Sequence, residues 1–369
     1  MIGPYSVSKS GSLVYVGNRL YAPNGDVCSL ARPTLEKRHE ELTSSPKRFL
    51  TLVEVFDSVH KATVSFMASN GVYFFNLPIL TRMISSPGAL TGTIPSDVAP
   101  FRVDYFGKEA FLTQSSQLYL ELALCIPGAN AVYCWDKSFR NEKSDFRHLP
   151  EFTHIEFESK IGFDENIDIQ KKYFENLLDY LCNNSHKALE VFLTSEDLQK
   201  LESFCSHPVY EILTFVEAFR LLYENTNDDK YKTPTLSHFS TIEEVLLTQI
   251  LNGRCVFVTQ YLSDEVAFYH ANTPEDKRFV INADFLGAGY GELIGSGERL
   301  HTAEEIEEKA AYFKLSIEDY RPYISSRHSN AIVHSGWGMG IERFIQFVLK
   351  LPAIWEVSLF PRVDWELRP

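Results

Sequence analysis

Apolar residues change their spacing several times along this chain. Through residues 1–48 they form short runs, among them LVYV and RLYA, broken by Gly, Asn, Asp and Pro. These read as brief strands of a lead-in segment. From Phe49 to Asn70, FLTLVEVFDSVHKATVSFMASN repeats its apolar positions at helical spacing. Gly71 ends that helix, at a place where a residue free to take positive φ is common. VYFFNLPIL follows as an apolar strand, and Pro78, lacking a ladder donor, suits a strand end or an interface edge. Residues 84–100, ISSPGALTGTIPSDVAP, predict a long loop, of a length uncommon without a function. Alternating runs at 101–105, 111–114, 131–140 and 152–158 predict strands, and LYLELAL, 118–124, a short helix between them.

Residues 166–251 change to helical periodicity. IDIQKKYFENLLDYLC, SEDLQKLESFC, TFVEAFRLLY and TIEEVLLTQIL all read as helices, the last with Thr241 and Glu244 in capping-box form. NTNDDKYKTPT, 225–235, reads as a loop. Strands return at 255–261, 278–286 and 291–295, followed by a helix over 302–315 boxed by Thr302 and Glu305. The end reads as strand, glycine-rich turn, helix 340–350 and a last strand, IWEVSLF.

At 369 residues, 44% hydrophobic and 23% charged, the chain has the composition of a globular protein with a sizeable core. Its net charge of −14 makes nucleic acid a poor default partner, because phosphate contacts need clustered Lys and Arg. The six cysteines show no metal-ligand spacing and read as thiols of a reducing compartment. No apolar run is long enough to span a membrane, and MIGPYSVSKSGSL lacks a signal-peptide core, so a cytoplasmic location is expected.

Two stretches carry the candidate chemistry. In HSGWGMGIERF, 334–344, glycines stand at every second position before a Glu–Arg pair. The spacing GxGxG departs from the dinucleotide fingerprint, and no GK[ST] follows to make a P-loop. In FRNEKSDFRHLPEFTHIEFE, 139–158, two strands flank a polar loop, with Arg140, Glu142, Arg147 and His148 near the turn. Converging cations of this kind suit a triphosphate, since Arg forms charge-assisted bonds to phosphoryl oxygens. A hairpin of solvated ion pairs and a glycine-packed junction are the alternatives for each stretch alone.

Together the two stretches resemble motifs 2 and 3 of the class II aminoacyl-tRNA synthetases. YFGKEAFLTQSSQLYLE, 105–121, and DFLGAGYGELIGSGERL, 284–300, resemble the aspartyl and asparaginyl subgroup, with the QLYLE ending asparaginyl-like. FFNLPIL, with Pro78, resembles motif 1, which builds the dimer interface of that class. The resemblance covers roughly 49–369. It implies an α+β fold, an antiparallel sheet flanked by helices, with a helical insertion at about 160–251 and a homodimer formed through motif 1.

It also implies roles. Arg140 matches the arginine on the α-phosphate and substrate carboxylate, and Glu142 the residue beside adenine. Arg147 and His148 match the groups on the β- and γ-phosphates. Phe152 matches the ring stacked on adenine, and Arg343 the arginine on its other face and on the γ-phosphate. Asp284 and Glu292 match the acids that hold Mg²⁺ on ATP. Gln117 matches the group near the substrate amine, and Glu121 and Arg299 those facing its side chain. Leu120 stands where aspartyl enzymes carry a lysine.

Three departures shape the expectation. The 48 residues before motif 1 are too few for the anticodon-reading β-barrel. Pro95 replaces a glutamate that binds the substrate amine, with Asp97 as its nearest substitute. Trp355 replaces an arginine, and reads as core. The expected activity is therefore an ATP-dependent ligase that forms an acyl-adenylate from an aspartate- or asparagine-like acid and passes it to ammonia or another amine. A minimal asparaginyl-tRNA synthetase is the alternative, with tRNA the less favoured acceptor, and a degenerate regulatory paralogue is a third reading.

Overall fold

A computed structural model describes residues 2–85, 99–234, 239–329 and 331–368. Asp97 and most of the 84–100 loop lie outside the described residues.

The chain opens with a small sheet of β1 (Tyr5–Val7), β2 (Leu13–Tyr15) and β3 (Gly25–Asp26), followed by α1 (Arg38–Ser44) and the long α2 (Pro46–Ser69). β4 (Tyr73–Phe74) comes next, then a three-stranded sheet of β5 (Leu80–Thr81), β6 (Arg102–Tyr105) and β7 (Lys108–Leu112). α3 (Gln117–Ala123) leads into the long hairpin of β8 (Ala131–Phe139) and β9 (Glu151–Ser159). The middle of the chain supplies α4 (Phe163–Asn184), α5 (His186–Phe192), α6 (Ser195–Ser206), β10 (Tyr210–Thr214), α7 (Phe215–Thr226) and α8 (Thr241–Ile250). The last part runs β11 (Cys255–Thr259), β12 (Asn282–Gly287), β13 (Gly291–Glu298), α9 (Ala303–Tyr312), α10 (Ile317–Ser329), β14 (Ser335–Gly340) and α11 (Ile341–Leu349).

The central sheet has the order β10-β11-β12-β13-β14-β9-β8-β4. Its six inner strands are antiparallel, while β10 and β4 join parallel at the two edges. α2 and α4 pack on each other and α4 packs on β13 and β14, so the apolar stripes of the helices cover one face of the sheet. Trp337, with no exposed surface, stacks on Phe157 and lies 4.8 Å from the ring of Tyr173 on α4. This face is the core. The other face is left open for chemistry.

Several local expectations shift. The predominantly helical stretch 166–251 also contains a strand, β10, which extends the sheet. The capping box of α8 lies one residue earlier than predicted, on Ser240 and Glu243, because Thr241 and Glu244 are both used to hold Arg147. The glycine-rich turn is strand β14 itself, paired on both sides. IWEVSLF forms a 3-10 turn at Ile354–Glu356 in place of a strand, since consecutive residues Ile354 and Trp355 are both buried, which alternation in a half-buried strand does not allow. Trp355 packs edge-on against Trp365 in an apolar cluster, as a core residue.

Candidate active site

The open face is built by strand alternation. On β14, Gly336, Gly338 and Gly340 point to it, while Trp337 and Met339 are buried in the opposite core. Register places Gly338 between Gly295 of β13 and Glu156 of β9, and Gly336 between Gly297 and Glu158. The glycines therefore form a floor across the middle of the sheet. Side chains from β9 lie flat on it: a Cβ at Gly338 would fall 2.7 Å from Nε2 of His154, and one at Gly336 would collide with the Glu158 carboxylate. Glycine is required here by the close approach of neighbouring side chains.

One cleft on this floor, with a cavity volume of about 50 Å³ and open at its mouth, is lined by Arg140, Glu142, Arg147, His148, Phe152, Glu292 and Arg343. The structure thus brings together seven of the residues singled out for nucleotide binding. Arg140 follows β8, is held by its N–H donating to the Pro150 carbonyl, and lays its guanidinium 5.4 Å from the Phe152 ring centre. Arg343, from the first turn of α11, donates to Glu292 Oε2 at 2.7 Å. Burial pushes Glu292 up, but the Arg343 and Arg147 guanidiniums outweigh it and hold the carboxyl at about 2.

Asp284 reaches the same end of the cleft from β12. A Cβ at Gly295 would lie 3.3 Å from Glu292 Oε1 and 3.7 Å from Asp284 Oδ1, so the two carboxylates face one point. Burial, and then the charges of Glu292 and Glu244, push Asp284 well above the usual carboxylate range. Mutual repulsion of this kind is what a cation relieves. Among the described residues no group of three or more His, Cys, Asp or Glu could hold a metal by itself. The pair of acids instead fits magnesium, which binds through one or two carboxylates and completes its shell with phosphate oxygens and water.

Arg147 lines the cleft, with its guanidinium held by protein partners. Its side chain is 3% exposed and is bound by Glu244 Oε2 at 2.8 Å, Thr241 Oγ1 at 2.7 Å and the Glu292 carbonyl at 3.2 Å. In this structure it ties α8 to the start of β13. His148 is half-buried and bonds through Nδ1 to Asp145.

The residues expected around the amino acid are buried and held largely by other protein groups. Gln117 Nε2 donates to the Phe157 and Trp337 carbonyls. Glu121 Oε2 accepts from Arg327 at 2.7 Å, Tyr323 at 2.8 Å and faces His334 Nε2 at 2.9 Å. Arg299 binds Glu158 Oε1 through Nη2 at 2.7 Å and lies over the Tyr269 ring. Three buried acceptors here keep no protein partner: Gln117 Oε1, Glu121 Oε1 and Glu158 Oε2. Leu120 is fully buried in an apolar cluster with Val132 and Cys134, so its side chain belongs to the core.

His154, Glu156, Glu158, His270, Arg327 and His334 were not singled out from the sequence, and Glu244 was read only as a capping residue. For three of them a signal exists: Phe152, His154, Glu156 and Glu158 alternate along β9, polar where a core-facing strand would be apolar.

An antiparallel sheet carrying an arginine-lined cleft above a glycine floor defines the catalytic core of a class II aminoacyl-tRNA synthetase, an ATP-dependent ligase. Residues 33–364 match the family described as tRNA synthetases class II (D, K and N), and the chain belongs to that family. Over 340 residues it is 33% identical to an asparagine–tRNA ligase of Lactococcus lactis subsp. cremoris, covering 91% of this chain and 72% of the relative. The asparaginyl-tRNA synthetase of Pyrococcus horikoshii complexed with asparaginyl-adenylate superposes with a TM-score of 0.81 at 29% identity, covering 92% of this chain and 74% of that one. An asparaginyl-tRNA synthetase of Entamoeba histolytica, at 20% identity and a TM-score of 0.77, shares the fold over 95% of this chain and 77% of its own.

Proposed function

We propose that the chain activates asparagine with ATP and transfers it to tRNA. The observation that carries this reading is the pairing of the arginine cleft with a charge-balanced, buried cluster further along the same strands. In that cluster Arg299 is already neutralised by Glu158, and Arg327 by Glu121. A neutral side-chain amide suits such a balance better than a second carboxylate, and the free oxygens Glu121 Oε1 and Glu158 Oε2 suit its N–H donors. Leu120, turned into the core, adds no cation for an aspartate.

The residues act by position and charge. Phe152 and Arg140 hold the adenine and α-phosphate end, and Arg343 reaches from the other face of adenine to the γ-phosphate. The amino-acid carboxylate attacks the α-phosphorus, the bond to pyrophosphate breaks, and aminoacyl-adenylate forms. Arg140 offsets the charge that develops on the α-phosphoryl oxygens. No protein nucleophile is needed, because alignment supplies much of the rate. Asp284 and Glu292 would hold magnesium, which when bound shields the charge of the phosphates. A terminal hydroxyl of tRNA then attacks the acyl carbon and AMP leaves.

This replaces ammonia or a small amine as the acceptor expected from the sequence. Relatives from Lactococcus lactis and Desulforamulus reducens are named asparagine–tRNA ligases. The net charge of −14 opposes long-range attraction of tRNA, so a weak encounter is expected. A dimer through the α2 and β4 region is part of the proposal, since Leu50, Val53, Tyr73, Phe74 and Ile79 leave apolar surface exposed there. Charging of total tRNA with labelled asparagine tests the reading, beside parallel reactions offering ammonia or hydroxylamine. Acylated tRNA supports it. Asparagine amide or hydroxamate formed without charged tRNA returns the acceptor to a free amine.

A further inference from the structure

Residues 2–32 lie ahead of the region that matches the family, yet their first strand touches every element that carries a group of the phosphate end of the cleft. The Gly3 N–H donates to the Ala288 carbonyl and the Tyr5 N–H to the Gly289 carbonyl, both at 2.8 Å, on the turn between β12 and β13 that joins Asp284 to Glu292. A Cβ at Gly3 would meet the Gly289 carbonyl oxygen at 2.6 Å, so strand and turn are in direct contact. The Val7 N–H donates to Gln249 Oε1 at 3.0 Å, and Gln249 returns a bond to the Val7 carbonyl, on α8, which holds Arg147 through Glu244.

Tyr5 joins these contacts. Its ring has no exposed surface, meets Phe146 edge-on at 5.3 Å and stacks on Tyr290 at 5.8 Å. Phe146 precedes Arg147, and the Arg147 guanidinium in turn lies 5.1 Å from the Tyr290 ring centre. The Tyr5 hydroxyl donates to the Pro352 carbonyl at 3.0 Å and accepts from Gln346 Nε2 at 2.6 Å. Gln346 lies on α11 one turn beyond Arg343, and also donates to the Phe146 carbonyl at 2.9 Å. One buried phenol therefore fixes the motif 2 loop, the helix of Arg343 and the turn of the two acids relative to each other.

We propose that Tyr5 is a positioning residue for the triphosphate half of the site. This rests on the nucleotide reading of the cleft. The β- and γ-phosphates need Arg343, the acids and the 145–148 loop all in register, whereas adenosine and the α-phosphate meet Phe152 and Arg140, which Tyr5 does not touch, and share only Arg343 with the phosphate end. A loss at Tyr5 then separates ATP from AMP.

The test compares the full chain carrying Tyr5→Phe with wild type and with Tyr15→Phe. Tyr15 also loses a buried bond, to the Lys350 carbonyl at 2.9 Å at the far end of α11, in the same small sheet, and bonds neither the 145–148 loop nor the turn between β12 and β13. Affinities for ATP with magnesium and for AMP are read by calorimetry, and thermal unfolding is recorded for all three. Tyr5→Phe is expected to weaken ATP about fivefold, the size of one net hydrogen bond, with AMP unchanged. Tyr15→Phe is expected to leave both affinities at wild-type values. Equal ATP binding in Tyr5→Phe and wild type overturns the proposal. So does a parallel loss of ATP and AMP, or a loss shared by Tyr15→Phe, since either marks a general stability effect. A wild-type chain that binds neither nucleotide overturns the reading of the cleft itself, and the role of Tyr5 with it.

Discussion

Replacing Glu244 by Gln tests whether Arg147 is a strut or a phosphate ligand. Glu244 is about as buried as its partner, and its Oε2 serves both Arg147 and the Glu292 N–H, at 2.8 and 3.1 Å. Gln keeps the volume and one acceptor but removes the charge. Arg147 then keeps Thr241 and the Glu292 carbonyl, though not a counter-ion at contact distance. A buried pair broken at one partner costs about 3–5 kcal/mol. The acceptor that Gln retains reduces this to about 2–4 kcal/mol, since a bond to a charged group contributes only about 1.5–3 kcal/mol. Urea unfolding should show that loss, and ATP affinity should fall about tenfold, equivalent to about 1.4 kcal/mol, as the start of β13 and Glu292 shift. Replacing both partners, Arg147→Met with Glu244→Leu, should recover most of the stability, because well-packed apolar residues can substitute for a buried pair. A Glu244→Gln chain within about 0.5 kcal/mol of wild type that binds ATP more tightly would refute the argument. It would mean that Arg147 is restrained by Glu244 and released towards phosphate.

Three further outcomes are expected. Phe152→Ala should raise the ATP KM about tenfold or more, since stacking on a base contributes about 1–3 kcal/mol, while the asparagine KM stays constant in exchange kinetics. Gly336→Ala should cost about 1–3 kcal/mol of stability by overpacking and raise the asparagine KM more than that of ATP, because the new methyl displaces Glu158 from Arg299. His270, buried and facing Arg299 and Lys309, is held well below its ordinary value, first by burial and then by those two cations. Its folded state favours the neutral ring, so stability is full above about pH 6.5 and declines below it as the unfolded chain takes up a proton, by up to about 1.4 kcal/mol per pH unit. His270→Gln should flatten the acid limb of a urea-midpoint titration by about one proton, and an unchanged slope would contradict this.

The sequence made the nucleotide half of the site legible because its residues sit on two compact stretches of regular period. Arg140 and Phe152 flank one hairpin loop, and Arg343 follows a strand whose glycines alternate. The helix 302–315 was legible through its capping box, since Thr302 and Glu305 bond locally. What stayed hidden depends on long-range pairing. Arg147 looks like a loop cation until α8, far along the chain, brings Glu244 to it. Glu121 looks like an open acceptor until Arg327 and His334 close on it from α10 and the start of β14. β10 was hidden because its five residues, YEILT, are too short for period to separate them from the helices on either side.

The central claim is that the cleft and the charge-balanced cluster beyond it activate asparagine. ATP–pyrophosphate exchange without tRNA tests it most directly, with asparagine, aspartate and no amino acid compared in wild type, Arg343→Ala and Asp284→Asn. The account predicts exchange with asparagine, little with aspartate, and loss in both variants. Exchange supported by aspartate as well as by asparagine, or by no amino acid at all, would contradict it.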